Sequence, residues 1–180
     1  MYQDVETILL NESVLATRIH ELGEEISKDY AGEEVMLVGI LKGASVFMSD
    51  LIRQISIPAY IDYMVVSSYG NSAETSGVVR IIKDLEDNIE GKNIIIVEDI
   101  IDTGLTLAYL KHNLLSRHPK SLKICTLLDK PARREKEITV DYMGFEVPDE
   151  FIIGYGIDYA EKYRNLPFIG ILKREVYEKK

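Results

Sequence analysis

The chain has one cysteine in 180 residues, so no disulfide framework can staple the fold. That cysteine, Cys125, sits inside the apolar run Leu122 to Leu128, which reads as a buried inert thiol rather than a nucleophile. Tryptophan is absent, the five prolines are scattered, and no Pro/Ser/Gly-rich linker, internal repeat or low-complexity tract divides the chain. Cations are in deficit: 21 Lys plus Arg stand against 30 Asp plus Glu, a net charge of −9. This balance argues against general binding to nucleic acid or to an anionic membrane. No apolar stretch approaches the ~20 residues of a membrane span, and the amino terminus has no basic-then-apolar signal, so a cytoplasmic location is expected. The nucleoside-triphosphate string G-x-x-x-x-G-K-[ST] does not occur. The three histidines, His20, His112 and His118, read as solvated positions of helical segments, without metal-ligand spacing to Cys125 or to one another.

What remains, 46% hydrophobic and 28% charged residues, suits one domain spanning 1–180 with an ample core. Asn11 is placed to cap a helix whose apolar positions Leu15, Ile19, Leu22 and Ile26 follow a 3.6-residue period, with Gly32 just beyond its end. Val35 to Leu41 reads as a buried strand, and Gly43 opens a second helix through about Gln54. Ile57 to Val66 and Val78 to Ile82 read as strands that pair as a hairpin with a long tip. Short strands are expected at 145–147, 151–155 and 168–172. Strands alternating with helices predict an α/β fold, mainly a parallel sheet flanked by helices. A small hood, built from the N-terminal segment and about 138–180, should cap the site.

The chemistry concentrates at residues 94–107. Ile94 to Val97 is a run of four β-branched residues, the pattern of a strand covered on both faces, and such strands carry sites at their carboxyl ends. Glu98, Asp99 and Asp102 follow, then Thr103, Gly104, Leu105 and Thr106 lead into helical spacing at Leu107, Leu110 and Leu114. The N–H groups of that turn, at a helix start and flanked by hydroxyls, can cradle a phosphate. Adjacent carboxylates can accept hydrogen bonds from vicinal sugar hydroxyls or join the oxygen shell of Mg²⁺. The order acid, acid, phosphate turn fits one ribose 5-phosphate. The plain alternative is an ordinary strand followed by an acidic turn in which Asp102 caps the helix.

Hydrophobic run, Glu-Asp, two apolar residues and Asp-Thr-Gly-x-Thr together resemble the signature of the type I phosphoribosyltransferases. Leu41-Lys42-Gly43, Gly-Phe-Glu-Val-Pro-Asp at 144–149 and Gly154-Tyr155-Gly156-Ile157-Asp158-Tyr159 extend the resemblance over nearly the whole chain. They place it with the hypoxanthine-guanine enzymes of that family. The resemblance implies transfer of phosphoribosyl from 5-phosphoribosyl-1-pyrophosphate to N9 of hypoxanthine or guanine in purine salvage, with Mg²⁺. It implies that Asp102 lies by N7 of the purine as the catalytic group, that Lys130 contacts O6, that Phe151 stacks on the base and that backbone at Ile152 reads the base edge. Asp158, counted with the base-binding set, would anchor Mg²⁺ on the pyrophosphate, with Glu98 and Asp99 as further candidate ligands. Lys42, Gly43 and Arg164 would hold pyrophosphate, and the Leu41–Lys42 peptide would be cis.

Glu98, Asp99, Asp102, Thr103, Gly104, Leu105 and Thr106 would hold the ribose phosphate. Some relatives carry lysine where Leu105 stands, so the phosphate here would rest more on backbone N–H groups and on the two threonines. A lid is expected at 67–77, carrying Ser68 and Tyr69. Which of Arg133 and Arg134 approaches the site stays open. The expected partners are these small molecules alone, with no nucleic acid and no membrane, in a homodimer or homotetramer. Two rivals stand beside this reading: a nucleotide-binding regulator of the same fold, and a same-fold enzyme for another base such as xanthine or adenine.

Overall fold

The computed structural model describes residues 1–68 and 79–178. A short 3₁₀ turn precedes strand β1 (Val5–Leu10), which the sequence reading did not anticipate, and helix α1 (Glu12–Asp29) follows. Asn11 caps α1, its side chain accepting from the Val14 N–H at 3.0 Å, and Leu15, Ile19, Leu22 and Ile26 form the helix's buried stripe. Next come β2 (Val35–Leu41), α2 (Ala44–Ile52), β3 (Ala59–Ser68) and β4 (Val79–Lys83). Then follow β5 (Asn93–Ile101), α3 (Leu105–Leu115), β6 (Ser121–Asp129), β7 (Tyr142–Glu146), β8 (Ile152–Ile153), β9 (Ile169–Leu172) and a one-turn helix, α4 (Arg174–Tyr177).

Six strands form the large sheet in the order β4-β3-β2-β5-β6-β7. All its pairings are parallel except β3 with β4, the expected hairpin. The central strands are buried on both faces because α1 and α2 cover one side and α3 the other. Two core clusters result, one holding Leu22, Phe47, Leu51, Ile95 and Val97, the other Val38, Ile94, Ile96, Leu110 and Ile124. A second sheet, β1-β9-β8, is antiparallel. It joins the N-terminal strand to segments from beyond residue 150, and forms the hood. Residues 142–146, expected within the hood, instead form the edge strand of the large sheet, paired in parallel with β6 from Cys125↔Tyr142 to Asp129↔Glu146. Tyr142 is buried and its hydroxyl donates to Asp29 of α1, which fixes that strand to the main body.

His20 and His112 lie in α1 and α3, but His118 sits in the loop after α3 with φ 55°. Cys125 is buried, and burial pushes its thiol pKa well above the ordinary value. No helix among the described residues is long and apolar enough to cross a membrane.

Candidate active site

The site arises where β5 outlasts its neighbour. Pairing between β2 and β5 stops at Gly39↔Val97, whereas pairing between β5 and β6 continues to Ile101↔Asp129. Glu98 and Asp99 therefore belong to the strand rather than lying past its end as expected. Hydrogen bonding to β6 carries the strand four residues beyond the apolar run, and the lost contact with β2 opens a gap beside those acids.

That gap is a cavity of about 320 Å³ whose lining includes Lys42, Gly43, Glu98, Asp99, Asp102, Thr103, Gly104, Thr106, Asp158 and Arg164. Ten of the residues singled out from sequence thus meet in one space. The Leu41–Lys42 peptide is cis. Gly43 lies so close to Asp99 that a Cβ there would overlap the Asp99 carboxylate, and Gly156 packs on the Gly43 carbonyl in the same way. With φ 101°, Gly156 also holds a left-handed conformation that a side chain would strain. Glycine at both positions lets hood, loop and strand touch.

Burial, reinforced by its neighbour Asp99, holds the Glu98 carboxyl well above the usual carboxylate range. Its Oε2 is shielded from solvent and has no hydrogen-bond partner among the described residues. Burial likewise pushes Asp99 up to about 6, against the opposing Ile100 N–H, which donates to its Oδ1 at 2.7 Å. Shielded, under-paired acids lining an open cavity are suited to sugar hydroxyls or a cation. No group of three or more His, Cys, Asp or Glu among the described residues can hold a metal by itself.

The turn after β5 does not use Asp102 as a helix cap. Gly104, with φ 81°, occupies the N-cap position of α3 without a side-chain cap bond. The turn is braced from behind: the Glu135 and Lys136 N–H groups donate to the Thr103 carbonyl at 2.9 and 3.1 Å. The Leu105 N–H donates to the Thr103 hydroxyl at 3.4 Å, and the N–H groups of Thr106 and Leu107, which lack intrahelical partners, face the cavity that both residues line. Leu105, expected among the phosphate-binding residues, is not part of the cavity lining.

A second cavity of about 470 Å³ adjoins the first and shares Ile100 and Asp102 with it. Lys130, Arg133, Asp149, Phe151, Ile152 and Tyr177 line it. Lys130 is 6% exposed, an unusual depth for a lysine, and its ammonium donates to the Glu150 carbonyl at 2.9 Å. Asp102 stands at the junction. Its Oδ1 is shielded and unpartnered among the described residues, and Oδ2 lies 3.4 Å from Arg133.

A family model described as "Phosphoribosyl transferase domain" matches residues 6–160. The chain belongs to the phosphoribosyltransferase family. The hypoxanthine-guanine phosphoribosyltransferase of Bacillus subtilis (strain 168) is 52% identical over 178 residues, covering 99% of this chain and 99% of that protein. A crystal structure of a hypoxanthine phosphoribosyltransferase from Staphylococcus aureus matches with a TM-score of 0.96 at 50% identity, covering 99% of this chain and 97% of that one. The bifunctional protein TilS/HprT of Listeria monocytogenes serotype 4b (strain F2365) is 51% identical over 177 residues. This chain spans 27% of the length of that relative.

In this member of the family both arginines left open by the sequence reach Asp102. Arg133 approaches its carboxylate at 3.4 Å, while Arg134 donates through Nε to its backbone carbonyl at 3.2 Å and also binds Asp129. Arg134 thus braces the turn, and Arg133 faces the second cavity. Arg164 holds the hood loop together, donating to the Gly156 carbonyl at 2.7 Å and pairing with Asp158 at 2.8 Å. Lys42 is mostly exposed and pairs with Glu161 at 2.9 Å. Glu161 and Tyr177 were not singled out as site residues, and Asp149 was marked only as the end of the Gly-Phe-Glu-Val-Pro-Asp run, with no role. Ser68 closes β3, while Tyr69 and most of the expected lid lie outside the described residues. A larger cavity, about 730 Å³ between α1, α2 and residues 164–167, shares only Arg164 with the expected site residues.

Proposed function

We propose that this chain transfers the phosphoribosyl group of 5-phosphoribosyl-1-pyrophosphate to N9 of hypoxanthine or guanine, giving IMP or GMP and pyrophosphate. The observation that carries this reading is the pair of adjoining cavities with Asp102 common to both. One has the acids and phosphate turn suited to a ribose phosphate, and the other has a buried lysine and a phenylalanine suited to a planar base with a carbonyl. C1′ of the sugar would lie between them, beside Asp102.

No covalent nucleophile is required. As the bond from C1′ to pyrophosphate breaks and the bond to N9 forms, the sugar carbon becomes cationic and the base gives up a proton from N7. Asp102 accepts or shares that proton, and Lys130 offsets charge gathering on O6. Arg164 and the backbone at Lys42 and Gly43 hold the departing pyrophosphate, while Glu98 and Asp99 fix the ribose hydroxyls so that base and C1′ stay in line. Mg²⁺, which enzymes of this family generally take with their diphosphate substrate, would be held by Asp158 with Glu98 and Asp99 and would neutralise charge on the leaving group. We place the enzyme in the cytoplasm as a homodimer or homotetramer.

Steady-state assays of the purified protein with each nucleobase, following pyrophosphate release, test the reaction. Turnover of hypoxanthine or guanine is expected, and activity with neither would overturn it. Glu98→Ala and Asp99→Ala are expected to raise the KM for 5-phosphoribosyl-1-pyrophosphate on the order of 10-fold or more, as loss of hydrogen bonds to charged groups does. A change confined to the KM for the base would remove these residues from the ribose.

A further inference from the structure

Phe151 does not stand alone at the wall of the second cavity. The ring of Tyr177, from α4, stacks on it with centroids 4.7 Å apart and planes inclined at 27°. Tyr159 meets Phe151 at 5.2 Å and 88°, edge against face. The spacing between Phe151 and Tyr177 is that of two rings in direct contact, so no base can enter between them. α4 is fixed in place by its start, where the Lys173 N–H donates to the Asp4 carbonyl at 2.9 Å. The Leu172 N–H donates to the Phe151 carbonyl at 2.8 Å, tying the segment that leads to α4 to the very residue it covers. Phe151, Tyr159, Val176 and Tyr177 pack on one hood cluster with Ile153 and Leu172.

We infer that Tyr177 is a positioning residue for the base. It stacks on Phe151 within the wall of the second cavity, which both rings line, and holds the Phe151 ring in the plane on which the base stacks. A phenylalanine at a cavity wall has rotamers to choose from, and a ring stacked on it removes that freedom before the base arrives. The base then meets a preset surface and does not bear the cost of ordering it. This inference rests on the proposal that the base stacks on Phe151, and it concerns affinity for the base alone. Neither Tyr177 nor any other residue of α4 lines the phosphoribosyl cavity.

Steady-state kinetics of Tyr177→Phe, Tyr177→Leu, Tyr177→Ala and Phe151→Ala test it, with KM measured separately for hypoxanthine and for 5-phosphoribosyl-1-pyrophosphate. Tyr177→Leu and Tyr177→Ala are expected to raise the KM for hypoxanthine about three- to tenfold, the range an aromatic pair of this geometry supplies. The KM for the sugar substrate should stay within about twofold, and Tyr177→Phe should restore the wild-type value, because the ring and not the hydroxyl makes the stack. Leucine fills the space apolarly, so a loss shared by Leu and Ala but absent in Phe separates stacking from mere packing. A rise in both KM values together, or wild-type base KM in Tyr177→Leu, overturns the inference. A fall in base KM would put Tyr177 in the base's own place and overturn it too. If Phe151→Ala leaves base KM unchanged, the stacking proposal itself has failed; if Phe151→Ala raises it while Tyr177→Leu does not, only the role of Tyr177 has.

Discussion

Adenine is expected to be used about 10⁴-fold less efficiently than hypoxanthine, the scale reached when a site built for one polar group meets its opposite. The Lys130 ammonium is nearly sealed from water, and one of its donors is engaged by the Glu150 carbonyl. Asp149 pairs with it at 4.0 Å, and an ammonium has three donors and no acceptor, so a donor is left for an acceptor of the ligand. The 6-oxo group of hypoxanthine or guanine supplies it. The 6-amino group of adenine sets donor against donor and leaves a buried charge under-satisfied, a cost that shape alone would not impose. The measurement is kcat/KM for each base at saturating 5-phosphoribosyl-1-pyrophosphate. Adenine turnover within about tenfold of hypoxanthine would remove Lys130 from O6 and move the chain toward the adenine enzymes of the fold.

Asp102→Asn is expected to lower kcat by roughly 10- to 10³-fold while leaving the KM for 5-phosphoribosyl-1-pyrophosphate nearly unchanged, since general-base catalysis contributes on that scale. Asparagine keeps the side chain's size and one carbonyl oxygen, so the turn and the junction of the two cavities persist. What it loses is basicity. In the proposed mechanism the Asp102 carboxylate takes the proton from the base, which the amide of asparagine cannot do. Wild-type turnover in the asparagine variant would end the assignment of Asp102 as the base, and a large rise in sugar KM alone would recast it as a binding residue.

Much of the site was legible because its residues are consecutive. A both-faces-apolar strand, two acids and a glycine-hydroxyl turn fall within 94–107, and local periodicity alone delimits β2 to the residue and places the capped start of α1. The misjudged parts depend on partners distant in the chain. The extension of β5 through Glu98 and Asp99 is decided by β6, whose register no local pattern encodes. Strand β1 has weak alternation, with Ile8 exposed, and is a strand because β9 pairs with it. Tyr142 directs β7 to the large sheet through Asp29 and Lys123, contacts of 113 and 19 residues' separation. Tyr177 reads as part of a charged tail, and becomes a wall of the base cavity only because the hood sheet delivers α4 to Phe151.

The hood sheet has a consequence for how the molecule is made. β1 finds its partner in β9, Val5 opposite Leu172, so this pairing waits on two strands far apart in the sequence. The large sheet has no such wait, since its strands lie between Val35 and Glu146. Closing a loop of that length is entropically costly and is delayed until both ends exist. The large sheet, which carries the turn at 102–106, is therefore expected to consolidate before the hood sheet, which brings Phe151 and Tyr177 to the second cavity. Pulse-labelled hydrogen exchange during refolding should find β5 and β6 amides protected before those of β1 and β9, and the reverse order would exclude it. During that interval the proposed ribose-phosphate turn would exist without the Phe151 wall of the second cavity, and the pairing of β1 with β9 would complete the sheet that carries it.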